Sequence, residues 1–147
     1  MNQNQKLREN TRRLEMHLNG ISQVDCCCQG ISNAQCFALV EIGREPDISI
    51  KELAAIICVD KSAISRTVEE LVQKKLVERQ PSKEDRRYVV LNLTKKGLEI
   101  FERIEEDMDN RFKQILKLIP RDKRQQVIEA LEIYNEVLEN EKNDCDY

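Results

Sequence analysis

A mainly α chain with one β-hairpin is the fold class this sequence predicts, and three observations predict it. Charged residues make up 35% of the 147 positions while Gly contributes 4 and Pro 3; Leu, Glu, Lys, Arg and Gln lose little rotamer freedom in a helix, and turn formers are scarce. Apolar residues recur three and four apart through most of the chain, the period of an amphipathic helix. The exception is the stretch 76–93, where two apolar, β-branched segments flank a polar tip containing proline, the pattern of a hairpin with a long loop.

In chain order, the first helix is expected over about 5–19, with Leu7, Leu14, Leu18 and Ile21 on one stripe. The segment 20–30 has no periodicity, is bracketed by glycines and reads as a loop or broken helix. Ser32-Asn-Ala-Gln35 has the spacing of a capping box and opens a second helix to about Gly43, with a turn at 44–47. Ser49-Ile-Lys-Glu52 repeats that signature and opens a short third helix, with Leu53, Ala54 and Ile57 inward, ending near Cys58. Asp60 is the expected N-cap of a fourth helix over 61–75, which turns Ile64, Val68, Leu71 and Val72 inward and Lys61, Ser62, Ser65, Arg66 and Glu69 outward. The strands are 76–80 and 88–93, with a tip over 81–87. Thr94 caps a long fifth helix carrying Leu98, Phe101, Ile104, Met108, Phe112, Ile115, Leu116 and Ile119, which Pro120 stops. A last helix over about 121–141 has Val127, Ala130, Leu131, Tyr134, Val137 and Leu138 on one side.

With 3 Phe, 3 Tyr and no Trp, the core must come from Leu, Ile, Val and Ala, and a chain of this size gains by burying further apolar surface against a second copy. No apolar run approaches the ~20 residues of a spanning helix. Residues 1–20 lack the apolar centre of a signal peptide, so a cytoplasmic protein without membrane contact is expected.

The net charge of −3 and a pI near 5.4 argue at first against nucleic acid, whose readers usually carry a basic footprint. The average conceals a local surplus: residues 74–96 carry a net +5, leaving −8 for the rest. Three short helices followed by a hairpin with a cationic tip form a winged helix-turn-helix, and the last of the three, the fourth helix of the chain, has the size and polar face to enter a major groove. Lys61, Ser62, Ser65 and Arg66 occupy its first two turns, where side chains reach base edges and phosphates, and Arg is best matched to the acceptors of guanine. On the hairpin, Asp85 can hold Arg87 extended through charge-assisted hydrogen bonds; a basic tip of this kind, with Lys83 and Arg86, is either a solvated edge guarded by its charges or, following a helix-turn-helix, a DNA contact.

Glu52-Leu-Ala54, Val59-Asp-Lys-Ser-Ala-Ile-Ser-Arg66, Leu76-Val-Glu-Arg79, Asp85-Arg-Arg87 and Leu91-Asn-Leu-Thr-Lys-Lys-Gly97 resemble the MarR family of transcriptional regulators. The resemblance implies a homodimer whose first and last helices interlock and which binds a pseudo-palindromic operator in double-stranded DNA. It also implies repression until a small effector releases the DNA, and a wing whose Asp and Arg, here Asp85 and Arg87, address the minor groove. The expected organisation is one domain: 1–31 an N-terminal dimerisation helix and cysteine-rich junction, 32–97 the winged helix, 98–147 the C-terminal dimerisation helices. Two positions depart from the family pattern. Cys58 and Lys75 stand where Gly is common, so each turn needs a conformation that tolerates a Cβ.

Six cysteines are many for a reducing compartment, where metal or redox chemistry is favoured over disulfide frameworks. Cys26, Cys27, Cys28 and Cys36 fall within eleven residues. Thiolates select thiophilic ions such as Zn²⁺, and trivalent arsenic bonds three sulfurs, so a sensor of metal, metalloid or oxidant is one expectation. The others are a conventional small-molecule pocket and, for Cys36 and Cys58, simple packing as small apolar groups. No cofactor is required. A different class of function, a metal-buffering or protein-interaction module on a winged fold, is the alternative. An enzyme is disfavoured because the sequence offers no nucleophile and base pairing, no Gly-rich phosphate loop and one His.

Overall fold

The computed structural model describes residues 1–25, 30–57 and 59–144, and the chain divides into two compact units, Met1–Asp107 and Met108–Tyr147. In the first unit the order is α1 (Gln3–Asp25), α2 (Asn33–Arg44), α3 (Ile50–Ile57), α4 (Lys61–Gln73), β1 (Val77–Pro81), β2 (Val89–Leu93) and the first part of α5 (Lys95–Leu118). This is the winged helix-turn-helix expected from the sequence. Helix α1 runs past Gly20 to Asp25, so the first part of the expected loop over 20–30 is helical, while residues 26–29 lie outside the described residues. A glycine inside a helix costs only about 1 kcal/mol relative to Ala, which is too little to end it alone.

The helix starts follow the local chemistry. Gln35 N donates to Ser32 Oγ at 3.2 Å and Ser32 N to Gln35 Oε1 at 3.3 Å, closing the capping box of α2. Ser49 and Glu52 do the same for α3, at 3.1 and 2.9 Å. Asp60 is extended, with φ −69° and ψ 155°, and accepts from Ala63 N. Thr94 accepts from Gly97 N at 3.0 Å and donates to Lys75 O at 2.7 Å, which ties the start of α5 to the end of α4. Each such cap satisfies backbone donors that the first helical turn leaves open.

Helix α4 stops two residues before its expected end, and the reason is at Lys75, whose φ is +60°. Leu76 N donates to Leu71 O and Lys75 N to Val72 O, the pair of bonds that closes a helix when the residue after its C-cap is left-handed. Lysine therefore takes the glycine conformation instead of avoiding it.

Strands β1 and β2 pair antiparallel from Val77↔Leu93 to Pro81↔Val89. A bridge not expected from the sequence, Ile48↔Leu91, adds a one-residue third strand beside the middle of β2, with Leu91 N donating to Ile48 O at 2.8 Å. Beside it Asp47, also left-handed at φ +65°, and Asn92 bond reciprocally: Asp47 N to Asn92 Oδ1 at 3.0 Å, and Asn92 Nδ2 to Asp47 Oδ1 at 2.8 Å.

The core is aliphatic. Leu39, Ile42, Ile48, Leu53, Val68, Leu71, Val77 and Leu91 are fully buried, each large side chain contributing about 1.5–3 kcal/mol by removal from water. Of the inward faces anticipated for α3 and α4, Ile57 and Val72 are only half-buried. The start of α5 is pressed against the module: a Cβ on Gly97 would lie 2.0 Å from Leu76 O, so no other residue fits without moving backbone.

The second unit continues α5, turns at a short 3-10 segment, Arg121–Lys123, behind Pro120, and ends with α6 (Arg124–Asp144). Arg124 Nε donates to Ile119 O at 3.1 Å across the corner. None of residues 108–142 is buried, although Leu116, Val127, Ile128, Leu131, Val137 and Leu138 are all apolar and exposed. Residues 3–19 of α1 are likewise without a buried side chain. Among the described residues no helix is long and apolar enough to cross a membrane.

Candidate nucleic-acid interface

Helix α4 turns Ile64, Val68 and Leu71 into the core, and its 3.6-residue period therefore presents Lys61, Ser62, Arg66 and Glu69 to solvent, with Ser65 half-buried. Lys61 and Arg66 are the exposed cations of this face. Ser62 also serves the helix start, because its hydroxyl donates to Asp60 Oδ1. That bond, followed by the one from Ala63 N, holds the Asp60 carboxyl below the ordinary aspartate range. The hydroxyl oxygen of Ser62 keeps its lone pairs for an outside donor.

At the wing tip, Ser82 N donates to Tyr88 O at 2.8 Å and Tyr88 N to Asp85 O at 3.1 Å, which folds the loop back on itself. Lys83 and Arg86 are exposed. Asp85 accepts four bonds from Arg87: from its backbone N at 3.1 Å, from Nε at 3.1 and 3.2 Å, and from Nη2 at 2.7 Å. The side chain of Arg87 is nevertheless 85% exposed and that of Asp85 33%. The carboxylate is stabilised in its charged form, chiefly by the Arg87 side chain and then by its backbone N–H, and the guanidinium is held charged in return. The result is an arginine whose direction is fixed while its remaining donors face solvent, which lowers the entropy lost when a ligand engages it.

Two sets of partners were not anticipated. Arg79 Nη2 of β1 meets Glu69 Oε2 of α4 at 2.7 Å. Lys74 Nζ donates to Gly30 O at 2.9 Å and to Gln35 Oε1 at 2.6 Å, while Gln35 Nε2 donates to Glu70 Oε2 at 2.7 Å. Two cations of the basic window 74–96 are therefore tied internally. Arg79 had a legible signal, since it lies two residues after Val77 and shares its face of the strand; the Lys74 cluster had none, because it joins residues far apart in sequence.

Of the anticipated sensor residues, Cys26, Cys27 and Cys28 lie outside the described residues. Cys36 sits on α2 and is 5% exposed. Among the described residues no group of three or more His, Cys, Asp or Glu is arranged to hold a metal ion.

Comparison with known proteins agrees with this geometry. Residues 31–89 match the model of the MarR family. The chain is 37% identical over 75 residues to the HTH-type transcriptional regulator BilQ of Clostridium symbiosum, a match covering 51% of this chain and 52% of that protein. The chain thus spans about half the length of this curated relative. In structure it resembles a MarR/EmrR family transcriptional regulator from Acinetobacter sp. ADP1, with a TM-score of 0.76 and 26% identity over 90% of this chain and 96% of that one. The fold is also that of Streptococcus pneumoniae FabT solved in complex with DNA, with a TM-score of 0.83 and 22% identity over 92% and 97% of the two chains.

Proposed function

From the premise that the chain is a MarR-type winged-helix protein, we propose that it is a DNA-binding transcriptional regulator that works as a homodimer on a pseudo-palindromic operator. The observation that carries this reading is Arg87, pinned by Asp85 through side-chain bonds as short as 2.7 Å and yet exposed at the wing tip. Under this reading α4 enters the major groove, with Arg66 on base edges and Lys61, Ser62 and Ser65 divided between bases and phosphates. Arg87 enters the adjacent minor groove, oriented by Asp85, and Lys83 and Arg86 contact the backbone. Two copies are supported by the apolar surfaces of α1 and α6, which this chain leaves uncovered.

Gel-shift titration of the protein on duplex from its own upstream region tests the proposal. Binding should weaken as salt rises, and Arg87→Ala should weaken it by about tenfold or more, since a positioned groove arginine is worth roughly 1–3 kcal/mol. Absent or salt-insensitive binding would return the chain to the metal-buffering or interaction class.

Repression relieved by a small effector is the regulatory half of the proposal, and the junction cysteines supply its chemistry: a thiophilic metal, a metalloid or an oxidant meeting Cys26, Cys27, Cys28 and Cys36 lowers operator affinity. Zinc, arsenite or peroxide should release DNA from the wild type and not from Cys28→Ser or Cys36→Ser. Equal release from wild type and both variants would remove the cysteines from the mechanism.

A further inference from the structure

Glu69 stands one turn beyond Arg66 on the outward face of α4, with side-chain exposure of 48%. On the DNA-binding reading just given, a carboxylate on this face lies close to a polyanion, where it opposes binding unless it is neutralised. The structure supplies the neutralising charge from another element. Arg79 projects from β1 on the side of Val77, and its Nη2 reaches Glu69 Oε2 at 2.7 Å. We propose that Arg79 is a positioning residue for DNA binding: it holds and cancels the charge of Glu69 on the recognition helix, without itself contacting a phosphate.

Three features favour this role over a direct phosphate contact. Arg79 is the less exposed partner, at 38%, whereas Arg87 at the tip is 85% exposed. Its strand position is opposite Leu91, which is fully buried and bonded to Ile48, so Arg79 springs from an anchored rung in the middle of the hairpin. Finally, a surface ion pair contributes little to stability, so the pair matters chiefly through the charge it presents to a ligand.

The test is a charge cycle on the full-length protein, reading operator affinity across a salt series. Arg79→Gln should weaken binding about five- to tenfold, the effect expected of one uncompensated charge near the duplex, while Glu69→Gln/Arg79→Gln should recover to within about threefold of the wild type. Arg79→Lys should stay near the wild type. The penalty of Arg79→Gln should shrink as salt rises, because an exposed uncompensated charge is screened, and the double variant is what separates this role from a phosphate contact.

A double variant no better than Arg79→Gln would overturn the proposal and make Arg79 a phosphate ligand, since removing the Glu69 charge would then restore nothing. Thermal unfolding followed by circular dichroism separates these outcomes from misfolding; if Arg79→Gln unfolds early and Glu69→Gln does not restore it, the role is structural and the proposal fails. Failure of the wild type to bind duplex at all is a different result, since it removes the regulator reading itself and this inference with it.

Discussion

Lys75 brings a Cβ into backbone space where glycine is at home, with φ +60°, and the chain accepts this because two hydrogen bonds at the end of α4 depend on it. The left-handed conformation costs an L-residue roughly 1–2 kcal/mol, and glycine returns part of the gain as unfolded-state entropy. Lys75→Gly should therefore stabilise the fold by about 0.5–1 kcal/mol, read as a higher urea midpoint with an unchanged m-value. In sequence, Lys75 stands where the MarR pattern commonly has glycine, and the geometry keeps that turn regardless. Asp85 and Arg87 were legible for a similar reason: their interaction spans two residues and needs no knowledge of the fold. Arg79 and Glu69 were each visible as charges, but their pairing joins a strand to a helix, and Glu69 alone reads as an ordinary solvated side chain.

The recognition helix begins at a carboxylate that titrates low. Hydrogen bonds from the Ser62 hydroxyl and then from Ala63 N depress the Asp60 pKa, so its folded value lies below its unfolded one. The stabilisation is then complete above about pH 4 and is lost as the pH falls through the lower folded value. Asn is as good an N-cap as Asp but does not titrate. Asp60→Asn should therefore match the wild type near neutrality and lose less stability on acidification, as measured by denaturation midpoints across an acid pH series. The helix starts at Ser32, Ser49 and Asp60 were readable because a cap and its partner sit within three residues. Helix α1 was misjudged at its end because a glycine is a weak stop signal. The rung between Ile48 and Leu91 escaped because nothing local marks Ile48 as a strand residue.

No residue of 108–142 is fully buried, and α6 exposes Leu131, Val137 and Leu138. An apolar surface of this kind on a helix is expected to meet a protein partner, and a second copy is the partner proposed here. Leu131→Glu/Val137→Glu should shift the protein from dimer to monomer in sedimentation equilibrium and abolish tight operator binding; retention of a dimer would place the interface elsewhere. The amphipathic stripes made such a surface legible at the scale of the chain, while composition averaged over the whole chain concealed the basic segment. The clasp between Asp47 and Asn92 joins residues 45 positions apart, and that separation bears on how the molecule assembles. Contacts so remote must wait for a large loop to close, whereas the hairpin and the caps form from neighbours. During synthesis or refolding the wing would take shape early and acquire its aim late, when the corner before α3 captures it.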